Sequence, residues 1–299
     1  MKIFVTGGTG FLGIHIVEEL IAQEFSVSVL MRNKDIIPRL SKALPVFGDL
    51  MSLSADDLKG FDIVIHSAAI KPGVNNETTF RNVNEIGTKH LLHVCEKAGV
   101  RRFLHISTMA VDANRKDIYA VSKGIAEHYV EESALEWSIL RLGAVYGLSD
   151  WWRSYLSLLK RKKIVVVVGD GEHLLYQIYV KDCARAIISA IFDNTINHRI
   201  CCVTSDPITY NHSLSVLKSV LKTNFTTVHI PLWMARIIAS GMYYVLKSPK
   251  PHYLNDPHID LSLGGALRID ACARTFELGL ADMLSEASLG EVSNKRFIR

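Results

Sequence analysis

Tyr119 and Lys123 stand four residues apart in Tyr119-Ala120-Val121-Ser122-Lys123, a stretch that opens a helix with Ile125, Ala126, Tyr129 and Val130 behind it. On a helix that spacing puts the two side chains one turn apart on one face. An ammonium beside a phenol stabilises the phenolate and draws its pKa down from about 10. The pair then makes a general acid/base able to work near neutral pH. The spacing alone arises often by chance, and its context is what adds weight. A β-rich run just upstream ends in Ser107-Thr108, where a hydroxyl can hydrogen-bond a substrate oxygen.

A second chemistry lies at the start of the chain. The strand-like run Lys2–Val5 leads into Thr6-Gly7-Gly8-Thr9-Gly10-Phe11-Leu12-Gly13, and Ile14, Val17 and Ile21 follow at helical spacing. Gly8, Gly10 and Gly13 satisfy G-x-G-x-x-G in the strand–turn–helix setting that this motif requires. Residues without a Cβ allow the tight turn, let the backbone approach a pyrophosphate and let the helix pack on the strand. The helix N-terminus then offers the anion N–H groups and the positive end of its dipole. A dinucleotide cofactor is the expectation. A ribose-binding carboxylate is due about 20 residues on, at the tip of the second strand. That strand reads Val27-Ser28-Val29-Leu30-Met31-Arg32, with neither Asp nor Glu at its tip. A carboxylate would repel a 2′-phosphate and a guanidinium would pair with it, so Arg32 favours NADP(H) over NAD(H).

These groups need a frame to position them. Short β-rich runs at Lys2–Val5, Ser26–Met31, Asp62–His66, Arg102–Ser107 and Ser138–Leu142 alternate with helix-period segments. In Gly87–Ala98, for example, Leu91, Val94, Cys95 and Ala98 fall on one face. Such alternation predicts parallel strands joined by crossovers. With helices on both faces, the expected fold is α/β, a Rossmann-type doubly wound parallel sheet. Beyond about residue 145 the pattern loosens. It reads as a helix at Trp151–Lys160, a strand at Ile164–Val168, a helix at Val180–Phe192, a strand at Arg199–Thr204 and a helix at Ser213–Leu221. The apolar Pro231–Leu246 segment and a polar C-terminal tail complete the chain. The expectation is a dinucleotide-binding domain over 1–145, with core strands returning near 178–204. A smaller α+β substrate region over 146–299 would share its cleft.

Taken in order, the motifs resemble those of the extended short-chain dehydrogenases/reductases of the NAD-dependent epimerase/dehydratase group. They are the T-G-G-T-G-F-L-G turn, Gly48-Asp49-Leu50, His66-Ser67-Ala68-Ala69 and Asn84-Glu85-Ile86-Gly87-Thr88. They continue with Ile106-Ser107-Thr108, Tyr119 with Lys123, Arg141-Leu142-Gly143-Ala144-Val145-Tyr146-Gly147 and Tyr179-Val180-Lys181-Asp182. The likeness runs from the first residue to about residue 192 and is loose beyond. It implies that Tyr119 is the acid/base and that Lys123 holds the nicotinamide ribose while tuning Tyr119. It implies that Thr108 orients the substrate oxygen and that Asn84 supports the proton relay. Around the dinucleotide it places Gly7, Gly8, Gly10, Phe11, Leu12, Gly13 and Arg32. Asp49, with Leu50, would meet the adenine, and Ala68 and Ala69 would line the cofactor. Small residues after a buried strand also pack well without any ligand, so the two alanines carry both readings.

Departures from the family pattern bear on the substrate. Arg141-Leu142 stands where Arg-Pro is usual, and Lys181 precedes Asp182 where an acidic pair is common. Nucleotide-sugar enzymes of the group carry an arginine shortly after G-D-G for the diphosphate. Here Gly169-Asp170-Gly171 is followed by Glu172-His173-Leu174-Leu175-Tyr176-Gln177, without one. Pro231-Leu232-Trp233-Met234-Ala235-Arg236 resembles the 3-beta-hydroxysteroid-dehydrogenase-like branch. The resulting expectation is an NAD(P)-dependent oxidoreductase passing a hydride between nicotinamide and the hydroxyl or carbonyl carbon of a ring-like, apolar small molecule. A nucleotide-sugar epimerase or dehydratase is the alternative. A non-catalytic protein keeping the dinucleotide as a structural ligand is a third reading, and it would not need Asn84, Thr108, Tyr119 and Lys123 together.

Composition narrows the partners. Hydrophobic residues make up 48% and charged residues 21% of the 299, and the net charge is only +4, values of a globular chain with no basic field for nucleic acid. The Lys160-Arg161-Lys162-Lys163 run reads as a solvated helix end. Five cysteines at 95, 183, 201, 202 and 272, without C-x-x-C, point to a reducing, cytoplasmic setting. Ile230–Leu246, interrupted by Arg236, falls short of a spanning helix; a buried helix or peripheral membrane contact fits it, and a homodimer is compatible with the chain. His90 and His93, at i, i+3, lack a third partner for a metal, so no metal site is expected. Trp151 and Trp152 suit either a cleft edge or packing.

Overall fold

The computed structural model describes residues 1–33, 37–70, 76–112, 117–238, 267–268 and 274–295. The chain divides into two compact units. One comprises Met1–Val145, Val180–Thr204 and Leu261–Ala273, and the other Tyr146–Tyr179, Ser205–Asp260 and Arg274–Arg299.

The first unit is built on β1 (Lys2–Thr6), β2 (Ser26–Met31), β3 (Leu44–Phe47), β4 (Ile63–His66), β5 (Arg102–Thr108) and β6 (Glu136–Leu142). With the later strands Arg199–Val203 and Leu267–Arg268 they form one eight-stranded sheet. Its order is Leu267–Arg268, Arg199–Val203, β6, β5, β4, β1, β2, β3. Each of these pairings is parallel. Burial on both faces explains why the inner strands are continuous apolar runs. Ile3, Phe4, Val5, Ile63, Val64 and Ile65 are wholly buried. The strand order reverses at β1, which pairs β2 on one side and β4 on the other. In open sheets of this kind ligands bind outside the carboxyl ends of the strands at such a switch point. Thr6 and His66 stand opposite each other there.

The helices of this unit are α1 (Phe11–Ala22), α2 (Ala55–Leu58), α3 (Glu77–Phe80), α4 (Gly87–Ala98), α5 (Ile118–Glu131) and the later helix Val180–Phe192, which lies against α1. Between α3 and α4, residues Arg81–Ile86 are wound as a π-helix. Such wide turns are rare and mark functional sites disproportionately, and this one contains Asn84.

The second unit holds the helices Asp150–Arg161 and Tyr210–Val220, a parallel strand pair (Ile164–Val168 with Thr226–Ile230) and a short antiparallel pair. The C-terminal segment expected to be a polar tail is a helix, Phe276–Lys295. It buries Phe276, Leu280 and Met283. A Cβ at Gly279 would run into Tyr146 Oη, so only glycine lets this helix close on that tyrosine. No helix among the described residues is long and apolar enough to cross a membrane. Half of the Pro231–Leu246 reading, from 239 onward, lies outside the described residues, as does Cys272.

Candidate active site

The glycine turn is built at the switch point. Gly7 has φ +70°, and a Cβ there would collide with the backbone of Ser67 and Ala68 as it leaves β4. A Cβ on Gly13 would collide with Gly7 O, and one on Gly8 would sit 2.7 Å from Val29 Cγ1. The protein's own packing therefore demands these three glycines. Gly10 is different. Its Cβ would meet only Gly7 O, at 3.2 Å, so internal packing does not explain the residue. Gly10 is also the N-cap of α1, with no side-chain cap and no acidic residue in the first turn. An open cradle at an uncapped helix N-terminus fits a pyrophosphate.

The surrounding residues fall around this turn to different degrees. Arg32 is exposed and follows β2 directly. Asp49 is exposed, and its Oδ1 accepts from Met51 N at 3.0 Å and Ser52 N at 2.9 Å, closing the turn after β3. Leu50 is buried in a core cluster with Leu53, Leu58 and Leu91, so its side chain serves packing. Ala68 and Ala69 are half-buried, and Ala68 N donates to Thr6 Oγ1 at 3.4 Å.

Beneath the turn runs a buried polar chain with a readable direction. Thr88 Oγ1 donates to Asn84 O at 2.6 Å. The Thr88 hydroxyl hydrogen is thus committed, so His66 Nε2, 2.9 Å away, carries the hydrogen between them. His66 Nδ1 is then the bare nitrogen and accepts from Thr6 Oγ1 at 2.7 Å. Burial holds this ring neutral, with its pKa lowered to about 3. Asn84 completes the chain. Its Oδ1 accepts from Ile70 N at 2.8 Å, and its Nδ2 donates to Ser122 Oγ at 3.0 Å and to Ile70 O at 3.3 Å. Ser122 Oγ donates in turn to Tyr119 O at 2.9 Å. The π-turn thus ties the exit of β4 to the helix that carries Tyr119 and Lys123.

Asp117 caps that helix by accepting from Ala120 N. Tyr119 is half-buried on its first turn, and Lys123 lies one turn later, 2% exposed. Lys123 Nζ donates to Ile106 O at 2.7 Å and to His105 Nε2 at 3.0 Å, both on β5. Desolvation lowers the lysine pKa to about 8, against the opposing pull of Glu127. Thr108 ends β5, half-buried, and its Oγ1 accepts from Ala110 N at 3.2 Å. The strand end is fixed by charge. Ser107 Oγ donates to Glu127, and Arg141 pairs with both Glu127 and Asp112. The two carboxylates hold the guanidinium charged and raise its pKa against the desolvation of a half-buried site.

Thr108, Tyr119, Lys123 and Asn84 are therefore tied through β5, α5 and the π-turn: Lys123 bonds to β5 two residues before Thr108, and Asn84 reaches α5 through Ser122. The sequence reading missed His105, Ser122, Glu127 and Thr88 as parts of the site. For His105 the available signal was a buried polar residue inside an apolar parallel strand, which is rare without a partner; the other three lie on helices and carried no such mark. Among the remaining candidates, His90 Nε2 donates to Leu53 O at 2.9 Å. No group of metal-binding side chains occurs among the described residues. Cys95, Cys183, Cys201 and Cys202 are buried free thiols.

A glycine turn at the switch point of a doubly wound sheet, with a tyrosine and a buried lysine beyond β5, defines a dinucleotide-dependent enzyme. The chain belongs to the NAD(P)H-binding family, whose sequence profile matches residues 7–194, and is an oxidoreductase of the extended short-chain dehydrogenase/reductase type. It is 29% identical to human sterol-4-alpha-carboxylate 3-dehydrogenase, decarboxylating, over 77% of this chain and 69% of that protein. It is 27% identical to a putative UDP-glucose 4-epimerase of Methanocaldococcus jannaschii, over 63% and 73%. Its fold is similar to that of Bacillus cereus UDP-glucuronic acid 4-epimerase, solved with NAD, with a TM-score of 0.66 and 21% identity over 86% of this chain and 94% of that one.

Proposed function

We propose that the protein interconverts a secondary alcohol and a ketone on an apolar, ring-like substrate, using NADP(H). A bound nicotinamide would supply or accept the hydride. The reading rests on one observation: a fully buried lysine, labile near neutral pH, lies one helical turn after a half-buried tyrosine and bonds to the strand that ends at Thr108. Tyr119 would pass a proton to or from the substrate oxygen, with Thr108 orienting that oxygen by hydrogen bond. Lys123 would stabilise the Tyr119 phenolate and hold the ribose, and Asn84 would keep α5 in register through Ser122. Residues around the glycine turn would hold the pyrophosphate, and Arg32 would pair with the 2′-phosphate.

Residues 146–299 would supply most of the substrate side. There the Trp151 and Tyr155 rings stack at 5.2 Å, the Tyr155 hydroxyl bonds to Tyr210, and Tyr210 stacks on His173 at 5.2 Å. Such a run of rings suits an apolar, planar ligand, and the human relative acts on a sterol. After Gly169-Asp170-Gly171, Glu172 Oε1 accepts from Asn211 Nδ2 at 2.7 Å, a carboxylate where a diphosphate would need a cation. This weighs against the nucleotide-sugar reading, although the likeness to epimerases keeps it the alternative. Four buried free thiols support a reducing, cytoplasmic setting.

The test follows reduced-nicotinamide absorbance with a keto-steroid or a UDP-hexose. Stoichiometric NADPH consumption with the steroid is expected. Isomerisation of the UDP-hexose without net consumption would replace the proposal with the epimerase reading.

A further inference from the structure

We infer that His105 is the positioning residue for Lys123, a neutral ring kept in the core to accept one hydrogen bond from its ammonium. The inference rests on the role proposed above for Lys123, but it is carried by geometry around a different residue. An ammonium has donors only, so the 3.0 Å contact between Lys123 Nζ and His105 Nε2 makes Nε2 the bare nitrogen. The ring hydrogen then sits on Nδ1. That atom is buried and has no hydrogen-bond partner among the described residues. His105 is itself fully buried, and among the described residues Lys123 is the one hydrogen-bond partner of its ring. A core position that leaves a ring N–H unpaired is unfavourable, and apolar Ile139 stands opposite it on β6. Packing alone would be served better by Phe or Leu.

The ring must also stay neutral. His66 on β4 lies 5.2 Å away, ring to ring, Phe103 stacks from β5 itself, and Lys123 presses its charge from α5. Glu127 is the nearby carboxylate on that helix and belongs to Arg141 and Ser107. Burial and the Lys123 charge hold the His105 pKa well below its ordinary value. A group that never charges is a constant acceptor. It leaves Lys123 as the titrating member of the pair and fixes the direction in which Nζ points, one turn from Tyr119. Without the ring the buried ammonium keeps Ile106 O alone, so its charged form is disfavoured further.

The test uses His105→Gln, His105→Asn and His105→Phe. The amide oxygen of glutamine reaches the place of Nε2, that of asparagine only the place of Nδ1, and phenylalanine has no acceptor. Lysine-labelled protein, with Lys123→Met to assign the signal, reports the Lys123 titration by NMR without cofactor. Its midpoint should stay near that of the wild type in His105→Gln and fall by about one pH unit or more in the other two. NADPH affinity should follow the same order, about tenfold weaker in the asparagine and phenylalanine variants. Equal midpoints in all four proteins would overturn the inference, and so would a glutamine variant that behaves like asparagine. If wild type bound no dinucleotide while the NMR order held, the function proposed above would fail and His105 would keep its role. Should His105→Phe not fold, adding Lys123→Met should restore folding, because the apolar chain needs no acceptor; no restoration would count against the pairing.

Discussion

On the proposed mechanism the chemistry at Tyr119 needs only the hydroxyl. Reduction of a ketone makes an alkoxide that must be protonated as it forms. Tyr119→Phe keeps the ring on the first turn of α5 and removes the proton. We expect kcat to fall by about 10²–10⁴, the usual weight of one general acid, with cofactor affinity almost unchanged. Normal turnover by that variant on a confirmed substrate would remove Tyr119 from the mechanism. Arg32 tests cofactor choice at the same scale. It is exposed just beyond β2, and on the proposed reading it pairs with the 2′-phosphate. Arg32→Ala should weaken NADPH by about the 1.5–3 kcal/mol of a charge-assisted bond and leave NADH nearly as it was. Equal losses for both dinucleotides would mean that the guanidinium does not read the phosphate.

Among the elements, the turn from β1 to α1 separates two roles that look alike in the sequence. Gly13→Ala would drive a methyl into Gly7 O, so it should lower the melting temperature as well as cofactor binding. Gly10→Val meets far less protein and should spare the fold while abolishing tight dinucleotide binding. Melting curves with and without NADPH distinguish the two, and a Gly10→Val chain that still gained stability from NADPH would contradict the assignment. The glycines, the apolar parallel strands and the Tyr119–Lys123 spacing were legible because local pattern and tertiary demand agree there. Elsewhere they part. β3 is only four residues long, contains Pro45 and exposes Leu44 and Phe47, so neither its length nor its burial marks it as a strand of the sheet, and Pro is tolerated on an edge strand. The C-terminal helix hides Phe276, Leu280 and Met283 among acidic and small residues. The π-turn at Arg81–Ile86 has no local signature, and it decides where Asn84 points. His105 escaped notice because its meaning depends on a lysine in the next helix.

For the whole molecule, the buried titratable groups set the pH at which the fold is most stable. His66, lowered to about 3, and His105, also lowered, stay neutral in the folded protein. In the unfolded chain each takes up a proton near pH 6.5. Below that pH the unfolded state binds more protons, so stability falls with acidification toward pH 3, by up to about 1.4 kcal/mol per pH unit for each ring. Lys123 acts in a second window. Folded, it loses its proton near pH 8, and unfolded only near 10.5. Between those values the unfolded chain again holds the extra proton, and stability rises with pH. The cysteines oppose this. Burial raises Cys201 and Cys202 from 9.0 to about 11 and pushes Cys95 and Cys183 higher still. Above about pH 9 the unfolded thiols ionise while the folded ones do not, so four groups withdraw stability against one lysine that adds it. The denaturation midpoint should therefore climb from pH 5 to about 8, peak between about 8 and 9, and decline beyond. Lys123→Met should remove the last rise toward the peak, moving the maximum to below about pH 8, and leave the acid limb in place. Denaturant titrations at half-unit intervals would show this, and a maximum at or below pH 6 would mean that the two histidines are not buried as neutral rings.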